Sequence, residues 1–565
     1  MNLSKYKYIV SSLVAGGLLL VGLFLLLNGA PQIVRADPGE PLFVTPTGSG
    51  DCSQANPCDL RTALGLAVEG DTFYLAQGTY TGTGGAVVTI TKSITLYGGW
   101  DGAPTGPAVR DPEIHVTTLD GQNARRVVHL DGRLGPITPT VDGFVIANGN
   151  AAHAPFNSGR GGGVHSLGAT PLVAHNVISS NVAGPSDADG RAYGGGIYLN
   201  NPDGTAVITA NQIVSNVANA DGKGHGGGIY LSNAPATRMM NNVVLSNTAV
   251  LTGSSGYGGG IAFASSPDLV MTGNEIAYNV AYRGPGWQGS DGGGVYCSNS
   301  HDLNFRDNVV RDNVVNVNAR GGTGGGMQLW SCYRADIVHN RFEGNASSGQ
   351  NSGSGGGLYT YAARDLTLEA NRFLDNRAYR GGGLYLGHNT WFTMTNNVVA
   401  ENHGGYEGGG MAFEAWSTEP VTGTLFHNTF AANDEGSGDG RIAIHLNDPY
   451  VTLVLTNNLI YSHTYGVYAV TTSTARLDHT LFYAHSISDT GGPGTIVNTD
   501  PITDQDPLLT ADYHLSCGSP AIDAGVDAGV YIDIDGDTRP QRSDYDIGAD
   551  EFRGIYLPLV VKNYP

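Results

Sequence analysis

Aromatic residues recur at one offset in this sequence, and that recurrence is its most direct pointer to chemistry. Tyr198, Tyr230, Tyr296, Tyr359 and Tyr385 each stand four residues after the first glycine of a Gly-Gly-Gly triplet. Other copies of the triplet carry His165, Ala262, Gln328 and Ala412 at that offset. Trp330, Trp391 and Trp416 follow the same stretch in three nearby copies. Aromatic faces are rigid and amphipathic, and they stack on sugar rings through apolar and C–H contacts. Repeated along one axis they would suit an extended polysaccharide. The same column would also serve to stabilise its own sheet by packing ring on ring. The sequence leaves both readings open.

Catalysis would need acids in groups. A glycoside hydrolase uses two carboxylates, one as acid and one as base or nucleophile. A lyase needs a base beside cation-binding acids. Asp187, Asp189, Asp221, Asp291, Glu407 and Glu414 lie near the triplets and read as solvated loop charges, so no residue is assigned to catalysis. Asp533, Asp535 and Asp537 alternate in Asp533-Ile534-Asp535-Gly536-Asp537, a spacing that would suit calcium. The distal glutamate of a full calcium loop is absent, and a plain acidic turn is the other reading. No other cofactor is indicated. Of five cysteines, Cys52 and Cys58 are close enough to form a small disulfide in an oxidising compartment. Cys297 and Cys332 are one repeat apart and fit either a bridge or two buried thiols. Cys517 is left over.

The elements that must position these residues form a repeat. The triplet and an apolar residue occur nine times, beginning at Gly161, Gly194, Gly226, Gly258, Gly292, Gly324, Gly355, Gly381 and Gly408. Between them runs Asn-x-[Ile/Val/Phe]-x-x-Asn, from Asn176-Val177-Ile178 to Asn428-Thr429-Phe430. Self-similarity at 26 to 34 residues means stacked units, none able to bury its apolar face alone. Short runs with period-2 alternation, such as Gly228-Ile229-Tyr230-Leu231, make the unit β. Three short strands and three turns fit in one repeat. Stacked in parallel they give an all-β fold, a single-stranded right-handed parallel β-helix. The common offset predicts that Val164, Ile197, Ile229, Ile261, Val295, Met327, Leu358, Leu384 and Met411 stack inside. Asparagine tolerates the left-handed conformation, which places the first asparagine of each copy in a tight corner. Stacked copies would form an amide ladder.

Residues 1–36 carry Lys5, Lys7, an apolar run from Ile9 to Leu27 and Val34-Arg35-Ala36, the features of an export signal cleaved after Ala36. The run is also near the length of a membrane anchor. Without Lys5, Lys7 and Arg35 the net charge moves from −21 to −24. Such a surface repels nucleic acid and disfavours polyanionic substrates. The expected partner is therefore an extracellular polysaccharide or cell-surface component, met by a monomer outside the cell or on its surface. Residues 37–70 read as an N-terminal cap with a short helix from Asp59 to Val68. The β-helix takes residues 71–510, a compositionally distinct segment 511–552, and a tail 553–565.

The two halves of the repeat resemble the Gly-Gly-[apolar] and Phe-x-x-Asn repeats of polymorphic outer-membrane proteins, and more broadly the pectin-lyase-like superfamily. That resemblance implies the fold and little about activity. The galacturonan hydrolases of that superfamily would bring Asn-Thr-Asp, Asp-Asp, Gly-His-Gly and Arg-Ile-Lys in order. This ordered set is absent, and Asn498-Thr499-Asp500 stands late and without partners. Polysaccharide lyase or glycoside hydrolase activity is the alternative to a binding or structural role. Gly518-Ser519-Pro520-Ala521-Ile522-Asp523-Ala524-Gly525, with Asp535-Gly536-Asp537-Thr538-Arg539-Pro540 and Asp546-Ile547-Gly548-Ala549-Asp550-Glu551, resembles the choice-of-anchor Q domain. That resemblance implies a surface or secreted protein.

Overall fold

The computed structural model describes residues 39–152, 159–185, 190–287, 289–348, 352–433 and 441–554. The export segment and the terminal tail from 555 lie outside the described residues, as do Asp187 and Asp189. No helix among the described residues is long and apolar enough to cross a membrane.

Three long sheets of 14, 18 and 15 strands, almost wholly parallel, form the walls of a β-helix. One coil runs through Ile197–Asn200, Val207–Thr209 and Gln212–Val214, each on a different wall. Register is exact from coil to coil in the triplet wall, with Ile197 opposite Ile229 and Ile229 opposite Ile261. All nine apolar residues after the triplets are buried, none more than 1 % exposed. They belong to one continuous core with Ile213, Met271 and Phe373 from the other walls.

The first glycine of every triplet has φ between 51° and 68°. That left-handed turn suits glycine because a Cβ costs energy there. The third glycine answers a different demand. A Cβ on Gly228 would meet Gly260 O of the next coil at 2.8 Å, closer than real contacts allow.

Both asparagines of each copy are ladder residues. Asn211 Nδ2 donates to Asn242 Oδ1 at 3.0 Å, and Asn216 Nδ2 to Asn247 Oδ1 at 3.0 Å. The first ladder runs from Asn176 to Asn458 and the second from Asn181 to Asn433. The left-handed corner itself belongs to the residue before each asparagine, such as Ala210 (φ 52°) and Ser215 (φ 55°). This corrects the expectation that asparagine turns the corner. The preceding residue bends the chain, and the asparagine side chain is thereby aimed inward at its neighbours.

Among the described residues, the regular coils from Gly161 to Gly381 hold more than three strands. After the second asparagine the chain makes an excursion, for example Val217–Asn219 and Lys223–His225, before the next triplet. These excursions stack into further sheets of seven and three strands. The cap helix covers Leu60–Leu66, with Asp59 accepting from Thr62 N at 2.8 Å and Leu60 and Ala63 buried. Three further coils follow the last triplet, ending at Ile502–Thr503.

Residues 511–554 fold back along the third wall. Ile534 and Ala549 pack on Val398, Ala400 and Ala431, and Leu515, Ala521 and Ile547 pack on Leu459 and Leu481. The outer face of that wall is charged where it is bare, with Glu275, Arg311, Arg341 and Glu343, and apolar where the segment covers it. Arg539 is buried here, paired with Glu551 at 2.8 Å and donating to Gly548 O and Ala549 O.

Candidate functional site

The tyrosines point away from the core, as the alternation requires, yet three are covered. Tyr198, Tyr359 and Tyr385 are 6, 7 and 1 % exposed, while Tyr230 and Tyr296 are half-buried. Excursion rings lie against part of the column, with Tyr193 6.5 Å from Tyr198. Tyr193, just before its triplet, lies 4.9 Å from the Tyr230 ring, and Tyr257 lies 5.2 Å from Tyr296. Within the column His165 stacks on Tyr198 at 5.3 Å, Tyr198 on Tyr230 at 5.9 Å and Tyr359 on Tyr385 at 5.6 Å. Burial pushes the Tyr230, Tyr359 and Tyr385 hydroxyls up, so they stay neutral. This geometry is that of a packed ladder.

Asp291 is half-buried. Its carboxylate is pushed up to about 6 by burial, opposed by a hydrogen bond from Thr323 Oγ1 at 2.6 Å. With the Gln328 amide turned so that its nitrogen donates, it reaches Thr323 Oγ1 at 2.6 Å and Asp291 Oδ1 at 3.2 Å.

The tryptophans divide. Trp330 stacks on Tyr361 at 4.3 Å, Tyr361 meets the edge of His388 at 5.4 Å, and His388 lies 4.1 Å from Trp416. Four rings from four successive coils thus make one ridge at the turn that leaves the triplet wall. Trp330 is 39 % and Trp416 57 % exposed, which leaves their faces open. Trp391 turns instead to the second wall, where it lines a shallow groove with Asp365, Thr393 and Thr424 under the Arg364 guanidinium.

Acids gather where the ridge ends. His388 is buried, with Nε2 3.2 Å from Glu414 Oε1 and Nδ1 3.8 Å from Glu419 Oε2. Glu414 and Glu419 are partly exposed. One coil on, Asp448 Oδ2 accepts from Ala415 N at 3.4 Å. Burial, and then the charge of Glu414, raise the Asp448 carboxyl above its usual range. Glu407 is engaged by Arg380 at 3.2 Å and by Asn447 at 2.9 Å. Of these residues the sequence reading singled out only Glu407, Glu414 and Trp416, and it took the acids for loop charges. His388, Glu419 and Asp448 sit in turns without a motif. One trace of them was available: the repeats beginning at Gly355 and Gly381 shorten to 26 and 27 residues.

Asp533, Asp535 and Asp537 do not converge. Asp533 Oδ1 accepts from the N–H groups of Asp535 and Asp537, and Oδ2 from Glu551 N. Asp535 turns to His514 at 2.6 Å and Asp537 to Arg553. Among the described residues, His514, Asp535 and Asp550 are the acids and histidine of this segment whose ligand atoms come together. Cys52 and Cys58 form a disulfide, Cys297 and Cys332 form a second between adjacent coils, and Cys517 is free and exposed.

No curated protein matches the chain. Solved structures with a similar course include a mutant of the periplasmic alginate epimerase AlgG (13 % identity, 68 % of this chain and 84 % of that one, TM-score 0.34). An α-1,3-glucanase catalytic unit from Streptomyces thermodiastaticus has 15 % identity over 83 % of this chain and 69 % of its own, with TM-score 0.32. Pectate lyase Pel9A has 11 % identity over 92 and 98 %, with TM-score 0.28. Likeness at this level carries nothing about activity. A family described as right handed beta helix region matches residues 143–349 and 314–448. These stretches cover more than half of the chain, register with the stacked coils just described, and show that the chain belongs to the right-handed β-helix family.

Proposed function

We propose that this is an exported or cell-surface β-helix protein that binds an extended neutral glycan along the ridge of Trp330, Tyr361, His388 and Trp416. The observation that carries the reading is that ridge: ring follows ring across four coils, with the outer two indoles open to solvent. Coils stack about 4.8 Å apart, so the row follows the axis and suits a polymer. Each exposed stack would contribute about 0.5–1.5 kcal/mol, which makes several rings necessary for useful affinity. The net charge of −21 favours a neutral polymer over a polyanion. The covered tyrosine column serves in this reading as support for the triplet wall. Export rests on the character of residues 1–36, and a surface location on the choice-of-anchor Q resemblance of residues 511–552.

Affinity electrophoresis against soluble neutral polysaccharides tests the proposal. Trp330→Ala and Trp416→Ala should each weaken retention about 2- to 10-fold, and the pair should abolish it. Retention unchanged in the folded double variant would remove the ridge as the site.

A further inference from the structure

Building on the glycan-binding reading above, we infer that the ridge ends in a hydrolytic centre, where Glu414 and Asp448 cleave a glycosidic bond of the bound polymer. Both carboxylates stand at the same rim on adjacent coils. Glu414 closes the strand Met411–Glu414, which pairs in register with Ile442–Leu446, and Asp448 follows that partner strand by two residues. The Ala415 N–H, next to Glu414 in the chain, donates to Asp448 Oδ2 at 3.4 Å, which ties the Asp448 carboxylate to the end of the Glu414 strand within reach of the Glu414 charge.

Their surroundings differ in the way an acid–base pair requires. Glu414 is partly exposed and lies 3.2 Å from His388 Nε2. Asp448 is half-buried, and burial together with the nearby Glu414 charge favours its protonated form. Glu407, by contrast, is already held by Arg380 and Asn447. Trp416 lies beside the pair with its face exposed, which would seat a sugar ring next to the carboxylates. His388, buried between Glu414 and Glu419, is a positioning residue that fixes where the Glu414 carboxylate sits.

The step needs only water. Water oxygen bonds to the anomeric carbon as that carbon's bond to the bridging oxygen breaks. Asp448 gives its proton to the departing oxygen, and Glu414 takes a proton from the attacking water. One water is consumed, one reducing end and one hydroxyl are released, and nothing is oxidised or reduced. The gathered Glu407, Glu414 and Glu419 would repel a uronate chain, so the substrate class is again a neutral polysaccharide.

The test uses the full-length exported chain with a mixed-linkage β-glucan, a xylan, a galactomannan and pullulan, each scored for retention on affinity gels and for new reducing ends. At least one polymer should be both retained and cut. Glu414→Gln and Asp448→Asn should each lower reducing-end release at least 100-fold while circular dichroism and retention match the parent. His388→Gln should lower kcat for reducing-end release while KM changes little, as the loss of a residue that positions Glu414 requires. Retention without new reducing ends overturns the hydrolytic assignment and leaves the binding reading standing. No retention of any of the four overturns both. Cleavage that persists in both carboxylate variants overturns the choice of residues.

Discussion

Single side chains here are governed by what the excursions cover. Asp291 shows the energetic side of that. Its carboxyl has risen from about 3.8 to about 6, so the folded chain binds this proton more tightly than the unfolded chain does. The sign follows: its contribution is most favourable below about pH 4 and is lost as pH rises through about 6. A rise of about two units corresponds to about 3 kcal/mol between those limits. Asp291→Asn keeps the hydrogen-bonding shape and removes the ionisation. It should flatten this part of the pH dependence and raise the urea midpoint at pH 8 relative to the parent. Identical pH dependence in parent and variant would show that Asp291 ionises without cost. Burial also explains why the tyrosine column was half legible. Alternation set Tyr359 and Tyr385 outside the core, as found. The residues that cover such columns, among them Tyr193 and Tyr257, come from excursions with no periodic pattern of their own.

At the scale of elements, the two asparagine ladders hold the corners in register, and one ends in an unusual way. Asn433 N donates to His463 Nε2 at 3.1 Å, and His463 N to His485 Nδ1 at 3.2 Å. Ring nitrogens have replaced amide oxygens as acceptors. A protonated imidazole cannot accept at that nitrogen. Burial depresses both groups, His463 well below 6.5 and His485 to about 4. The unfolded chain therefore takes up protons first, and stability from these two groups is present above about pH 6.5 and lost as pH falls towards 4. His463→Asn restores an amide at the ladder position. It should reduce acid-induced hydrogen exchange in residues 441–503 between pH 6.5 and 4.5, where the parent loosens. Within the regular coils, Asn274→Ala leaves buried donors and acceptors unpaired on both sides and should cost about 2–4 kcal/mol in denaturant unfolding. The sequence made the coils legible because apolar residues and asparagines recur at fixed offsets from each triplet. It left His388, Glu419 and Asp448 hidden, because their proximity comes from stacking turns that lie far apart in the chain. A repeat that shortens to 26 or 27 residues, with its excursion cut to a single strand, was the available mark of that departure.

For the molecule as a whole, the segment 511–554 is a side cover rather than an end cap. Arg539 is its anchor, fully buried between Glu551 and two carbonyls and reaching Asn396 Oδ1 at 3.3 Å. Arg539→Ala would leave Glu551 as an uncompensated buried charge, a loss of about 3–5 kcal/mol. The expected result is a lower melting temperature with early proteolysis confined to residues 511–554 and the wall beneath them. Removing the segment should bare Val398, Ala431, Leu459 and Leu481 and promote self-association, measurable by light scattering. A truncated chain that stays monodisperse would mean that this wall needs no cover.

The disulfide between Cys297 and Cys332 has a mechanical consequence. Drawn out by its two ends, a stack of parallel coils can give way one coil at a time, because each touches only its neighbours. A coil of 26 to 34 residues would release about 90–120 Å of extended chain, and a force–extension trace would show a series of such steps. The bridge closes a loop with a sequence separation of 35 residues and withholds its length, about 120 Å, from the pulling device. Under reducing conditions the fully stretched chain should be longer by that amount. The two coils that begin at Gly292 and Gly324 thus form a clasp at mid-length, where tension can pass through a covalent bond without unwinding the rung that carries it.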